Sequence, residues 1–257
     1  MGHERLGALP KNTKWLPIIQ SIVSSIETED GIESIASETL KNVRSRYRYI
    51  HQDEGVIAAY KFLIALASSS SKLIQQGSPP NVQLEDNPSV YSLARSLKEW
   101  IYQNQDSVEY GEIARAAAAD TIIKWTTEKS KQQTIFHTDQ TAKEIWSKAS
   151  DGSGFCEVSR IFFTKFTERY LKYFLEREAS SRFSDLSSRE KFNSQLEQHL
   201  DKISQHAFET SKITQSFAAG WYNKYIKTQF PTNKQIEGFL KVAFGKLQEE
   251  ISREEKS

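Results

Sequence analysis

The chain has 257 residues, 38% of them hydrophobic and 11% aromatic, which is enough for one large domain or two modest ones built around big rings. Its 34 basic and 33 acidic side chains leave a net charge of +1, which excludes a global field that draws the chain to nucleic acid or an anionic membrane. The single cysteine, Cys156, excludes an internal disulfide, and no apolar run approaches the ~20 residues needed to cross a bilayer, so a cytoplasmic protein with no membrane partner is expected.

Residues 1–12 carry no helical period, and nothing in them resembles the apolar region of a secretory signal. Gly2 invites a myristoylation reading, but Leu6 stands where Ser or Thr is wanted. From Thr13, the residues Trp15, Ile18, Ile19, Ile22, Val23 and Ile26 recur at helical spacing, with Pro17 tolerated in the first turn. A second helix is expected over about 32–50, with Ile32, Ile35, Ala36, Leu40, Val43, Tyr47 and Ile50 on one side. Asp53 is placed to cap a third through Val56, Tyr60, Leu63 and Leu66.

Residues 76–88 hold three of the six prolines and read as a linker between an N-terminal helical unit (1–75) and a main helical domain (89–257), although the two units can also pack as one. Beyond the linker, Val90, Leu93, Leu97, Trp100 and Ile101 predict one helix, and Ile113, Ala117, Ala118, Ile122 and Trp125 another. Residues 134–138 suggest a short extended piece. Asp139 is a candidate cap for a short helix carrying Ile145 and Trp146, and Asp151-Gly-Ser-Gly154 reads as a tight break.

The strongest amphipathic element is expected over 155–178. Val158, Phe162, Phe166, Tyr170, Tyr173 and Phe174 share one face, and Glu168, Lys172 and Glu176 form a salt-bridged solvent side on the other. No proline occurs between Pro88 and Pro231. Within that gap Leu196, Leu200, Ile203, Ala207, Thr210, Thr214, Phe217 and Trp221 step by four and three, predicting one long helix near 187–226, ~60 Å at ~1.5 Å per residue. Its weak middle suggests that the seam packs mostly within the chain. A last helix follows Pro231 through Ile236, Phe239, Leu240, Ala243, Leu247 and Ile251. The expected fold is all-α, an irregular bundle of eight or nine helices.

Catalytic signals are thin. No His-Glu-x-x-His or Glu-x-x-His occurs, and His199 and His206 lie ~10.5 Å apart along a helix, too far to share an ion, so no metal or other cofactor is expected. Cys156 begins a helix whose dipole favours the thiolate, but a packing role is the more ordinary one. Ser69-Ser70-Ser71-Lys72 matches Ser-x-x-Lys without its companion motifs, and Gly152-Ser-Gly154 lacks the strand that a phosphate loop needs.

One constellation stands out. Lys41, Arg44, Arg46 and Arg48 fall within eight residues, interleaved with Tyr47 and Tyr49 and with no acid among them. Such a face suits phosphates while a tyrosine stacks on a base. A weaker basic-aromatic stretch over 221–246 holds Lys224, Lys227, Lys234, Lys241 and Lys246 against Glu237 alone. On the long helix His199, His206, Trp221 and Tyr225 are candidates for a partner interface. The expected function is therefore binding rather than catalysis. It is that of a helical scaffold or accessory subunit in a larger multiprotein assembly, of prokaryotic type judging by size and compactness. The alternative is a nucleic-acid-binding helical protein using Lys41–Arg48.

Overall fold

A computed structural model describes residues 15–27, 29–68, 89–104, 109–131, 141–210, 212–226 and 229–254, apart from a few side chains within them. Ten α-helical segments occur among these residues, and no strand. They are α1 (Leu16–Ser25), α2 (Glu29–Tyr47), α3 (Glu54–Ser68), α4 (Val90–Asn104), α5 (Glu109–Lys131), α6 (Ala142–Ser147), α7 (Gly152–Arg182), α8 (Leu186–Thr210), α9 (Lys212–Trp221) and α10 (Asn233–Glu254). A 3-10 turn over Ile50–Gln52 links α2 to α3, and a π-helical segment, Tyr222–Ile226, continues α9. The expected linker 76–88 and the extended piece at 134–138 lie outside the described residues. Helices from both sides of the linker share one hydrophobic cluster, with α3 packed on α4, α5 and α10.

Short polar side chains set several helix starts by accepting from backbone N–H groups that have no partner inside the helix. Asp53 Oδ1 accepts from Gly55 and Val56 at 2.9 and 3.1 Å, opening α3 as expected. For α6 the cap is Thr141, three residues before Glu144, and the two exchange side-chain-to-backbone bonds in a capping box. Asp139, the expected cap, lies outside the described residues. Thr232 and Gln235 close the start of α10 in the same reciprocal way.

The longest described helix is α7. It is ~46 Å long at ~1.5 Å per residue and touches α1, α2, α3, α5, α8, α9 and α10. Between Val158 and Leu175 it is buried nearly all round, which departs from the two-faced helix expected. Of the expected salt-bridged row, Lys172 is half-buried, the Glu176 side chain lies outside the described part of the structure, and Glu168 is covered. Glu168 is only 5% exposed and lies between Lys165 and Lys172 of its own helix. The cause is that α5 and α8 pack on either side of it.

Glycines make the start of α7 possible. The run 151–154 is a helix entry rather than a break: Asp151 Oδ1 accepts from Gly154 N at 2.7 Å, and the helix begins at Gly152. A Cβ on Gly154 would lie 1.9 Å from the Lys148 carbonyl oxygen, and one on Gly152 2.6 Å from Ala219 Cβ of α9. Glycine is needed here for close approach, not for a turn.

The helix expected over 187–226 occurs as α8 and α9 with the π segment at its end, and Ser211 lies outside the described residues. Together these elements run antiparallel along α7. Near one end Arg160 and Lys165 of α7 meet Asp201 and Glu197 of α8, and at the other Gly152 and Phe155 meet Ala219 and Trp221. Leu196, Leu200, Ile203 and Trp221 of the four-three seam are buried, so the seam's ends pack within the chain.

Three substitutions test this packing. Phe166 is fully buried against Phe162, Tyr170 and Phe244, so Phe166→Ala is expected to lower unfolding free energy by about 3–5 kcal/mol. Gly154→Ala is expected to cost about 1–3 kcal/mol through overpacking. A Cβ on Gly238 in α10 meets nothing within 4 Å, so Gly238→Ala should stabilise by about 0.5–1 kcal/mol. Chemical denaturation measures all three, and an unchanged midpoint for Phe166→Ala would remove α7 from the core.

Candidate functional site

The basic-aromatic stretch at the end of α2 forms a corner that Tyr47 holds in place. Its hydroxyl bonds Thr167 Oγ1 of α7 at 2.8 Å, and its ring packs against Tyr170 at 5.4 Å and Phe244 at 5.6 Å. Burial drives its pKa well up, so the hydroxyl stays protonated. Tyr47 therefore belongs to the core and is closed to a stacking base. A helix turns ~100° per residue, so pinning Tyr47 inward sends both neighbours outward. Arg46 and Arg48 are exposed, and Tyr49, 58% exposed, is the ring this corner offers to solvent. Lys41 is exposed one turn earlier and pairs with Glu38 at 3.0 Å. The Arg44 side chain lies outside the described part of the structure.

The turn after α2 brings a second basic stretch to the corner. Ile50 and His51 are buried under α10, with His51 Nε2 4.0 Å from Glu237 Oε1. Burial lowers the His51 pKa and Lys241 adds to that, against the bond with the Arg48 backbone and the charge of Glu237. The corner thus joins Arg46, Arg48 and Tyr49 to a turn of α10 that carries Lys241. The cations also suit the negative end of the α2 dipole, so they serve the fold as well as any ligand.

The candidate partner residues separate into two groups. His199 is buried, with Nδ1 3.5 Å from Glu33 Oε1 of α2. Trp221 is buried against Phe155 at 5.9 Å and Phe239 at 4.8 Å. Both are occupied by the interior. Tyr225 is half-buried beside Trp221 at 5.5 Å, with Lys224 over its ring, and His206 is exposed. Trp221 and Tyr225 lie against one another, while His199 of α8 lies against α2.

Among the described residues, Cys156, Tyr60 and several cations are engaged inside the fold. Cys156 is buried, and burial pushes its thiol up to about 11, which overrides the helix-start effect. Tyr60 sits at the centre of an aromatic cluster with Phe155, Phe162, Phe163 and Phe239, its hydroxyl 2.6 Å from Ser159 Oγ. Burial pulls the Lys165 ammonium down, but bonds to Glu197 and Glu168 outweigh it and its pKa rises. Arg160 and Lys124 share Asp201, Arg169 holds Asp120 at 2.7 Å, and Lys129 holds Glu157 at 2.9 Å. Among the described residues no three histidine, cysteine or carboxylate side chains are placed to hold a metal ion, and no helix is long and apolar enough to cross a membrane.

No protein-family model, curated protein or solved structure matches the chain.

Sequence reading missed two features. Glu168 looked solvated because helical spacing shows its own helix and not the neighbours that cover it. On α4 the exposed rings Tyr91 and Tyr102 sit opposite the apolar stripe of Leu93, Leu97 and Trp100, and periodicity marks the stripe alone.

His199 gives the packing of α8 on α2 a pH dependence. Burial, with Lys202 nearby, lowers its pKa to about 4, against an ordinary 6.5. A depressed histidine takes up its proton first in the unfolded chain, so full stability is present above about pH 6.5. It is lost as pH falls through the window down to about 4, by roughly 3 kcal/mol in all. His199→Gln should flatten that part of the stability profile. Equal slopes for variant and wild type between pH 6.5 and 4 would remove His199 as the source.

Proposed function

We propose that this chain works by binding, as a non-catalytic helical scaffold or accessory subunit of a multiprotein assembly. The observation that carries the reading is a contrast. The Cys156 thiol is buried and the Tyr47 and Tyr60 hydroxyls and most of the ion pairs named above are engaged within the bundle, while Arg46, Arg48 and Tyr49 are exposed together at one corner. Tyr and Arg are the residue types that dominate protein interfaces. The corner is fixed from beneath by the Tyr47–Thr167 bond, so little order is lost when a partner docks. A chain with one buried thiol suits the cytoplasm.

A second reading, nucleic-acid binding through the Lys41–Arg48 face, is favoured by the same two arginines beside an exposed ring. Arginine contacts phosphate while tyrosine stacks on a base. It has lost Tyr47 and keeps Tyr49.

One fractionation separates the readings. Tagged protein in an extract of its host is sized with and without nuclease, beside the double variant Arg46→Glu, Arg48→Glu. The scaffold reading expects a complex larger than the 29.5 kDa chain that survives nuclease and is lost in the folded variant. Collapse on nuclease treatment would favour the second reading. Monomer-sized wild type under all conditions would contradict both.

A further inference from the structure

The outer face of α4 presents a second basic-aromatic surface, independent of the corner. Tyr91, Arg95, Lys98 and Tyr102 follow one another at steps of four, three and four, which keeps them on one side of the helix. The opposite side is anchored. Leu93, Leu97, Trp100 and Ile101 are buried, and the Trp100 indole N–H donates to the Ala58 carbonyl at 3.0 Å, which fixes the rotation of α4 about its axis. The stripe is thereby held facing out, with Tyr91 89% and Tyr102 60% exposed. Lys98 lies 5.8 Å over the Tyr102 ring, and Arg95 gives its Nε to Glu99 at 3.0 Å, a bond that uses one of five guanidinium donors.

We propose that this face binds single-stranded nucleic acid, with Arg95 and Lys98 meeting phosphates and Tyr91 and Tyr102 stacking on bases. The choice rests on charge and geometry together. Two cations sit between two exposed rings, the combination that a strand of alternating phosphates and planar bases can satisfy along its length. Residue type alone suits a protein partner as well, and the choice is carried by the order along the helix, ring, cation, cation, ring, which matches the repeat of a strand. The tyrosines are eleven residues apart, ~16.5 Å at ~1.5 Å per residue, the reach of about five stacked bases at ~3.4 Å each. The proposal rests on the nucleic-acid reading of the chain, but not on the Arg46–Arg48 corner.

The test is fluorescence polarisation of a labelled oligo-dT strand with the full chain, at about 50 and 200 mM salt. It compares wild type with Tyr91→Ala, Tyr102→Ala; with Tyr91→Phe, Tyr102→Phe; and with Arg46→Glu, Arg48→Glu. The expected result is salt-sensitive binding by wild type, weakened about tenfold or more by the alanine pair and kept by the phenylalanine pair, since stacking needs the ring and not the hydroxyl. Both tyrosines are exposed, so an unchanged circular dichroism melt confirms that the alanine pair is folded. Equal binding by the alanine pair and wild type, with loss in the arginine variant, would overturn the α4 proposal and leave the corner as the nucleic-acid site. Absence of wild-type binding at the lower salt would overturn both nucleic-acid readings and leave the protein-partner reading standing.

Discussion

The burial of α7 against α1, α2, α3, α5, α8, α9 and α10 is the constraint on which the described fold most depends. A helix covered on nearly every side must be apolar nearly all round, and its polar groups must find partners inside the protein. The sequence meets the first demand between Val158 and Leu175, and Ser159, Thr164, Thr167 and Glu168 meet the second. Phe155, Phe162, Phe163, Phe166, Tyr170 and Phe174 supply ring area to neighbours on several sides. Thr167 and Ser159, two turns apart, take the hydroxyls of Tyr47 from α2 and Tyr60 from α3. Rings alone slide and repack. A hydroxyl that must find one oxygen at hydrogen-bond distance penalises a shifted register, because a missed partner leaves a buried donor unpaired. These two bonds therefore tie α2 and α3 to fixed heights on α7, and the orientation of the exposed α2 corner follows from the first of them.

The side of α7 that carries charge is handled differently. Glu168 is buried beside Lys165 and Lys172, and Glu197 reaches across from α8 to Lys165. Asp120 of α5 takes Arg169, and Asp201 of α8 bridges to Arg160 of α7 and Lys124 of α5. Desolvation offsets much of the attraction in such partly buried pairs, so their contribution lies more in specificity than in net stability. Opposite signs must line up across three helices at once, which disfavours any rotation of α5 or α8 that apolar packing alone would tolerate.

Much of the fold was legible because helical periodicity is a local signal. The stripes on α2, α4 and α10 read directly, and so did Asp53 as a cap, whereas α3 is buried on nearly every side. What the sequence concealed was relational. The 151–154 run looks like a break, and only the positions of Lys148 and Ala219 show that its glycines are there for close contact at a helix start. Glu168 looks solvated until α5 and α8 are placed over it. The candidate site was legible in composition and not in facing: four cations and two tyrosines were visible, but which tyrosine turns inward depends on Thr167, 120 residues away. His199 and Trp221 were drawn into the core in the same way, by Glu33 and Phe239 from distant helices.

If the bundle is organised around α7, that helix opens only when the whole fold does, and the exposed surfaces on α2 and α4 are displayed by that body. Native-state hydrogen exchange under increasing denaturant tests this most directly. The account predicts that amides from Val158 to Leu175 exchange only through global unfolding, with the same free energy as the buried amides of α3. Exchange of the α7 amides through a local opening of lower free energy, while α3 stays protected, would contradict it.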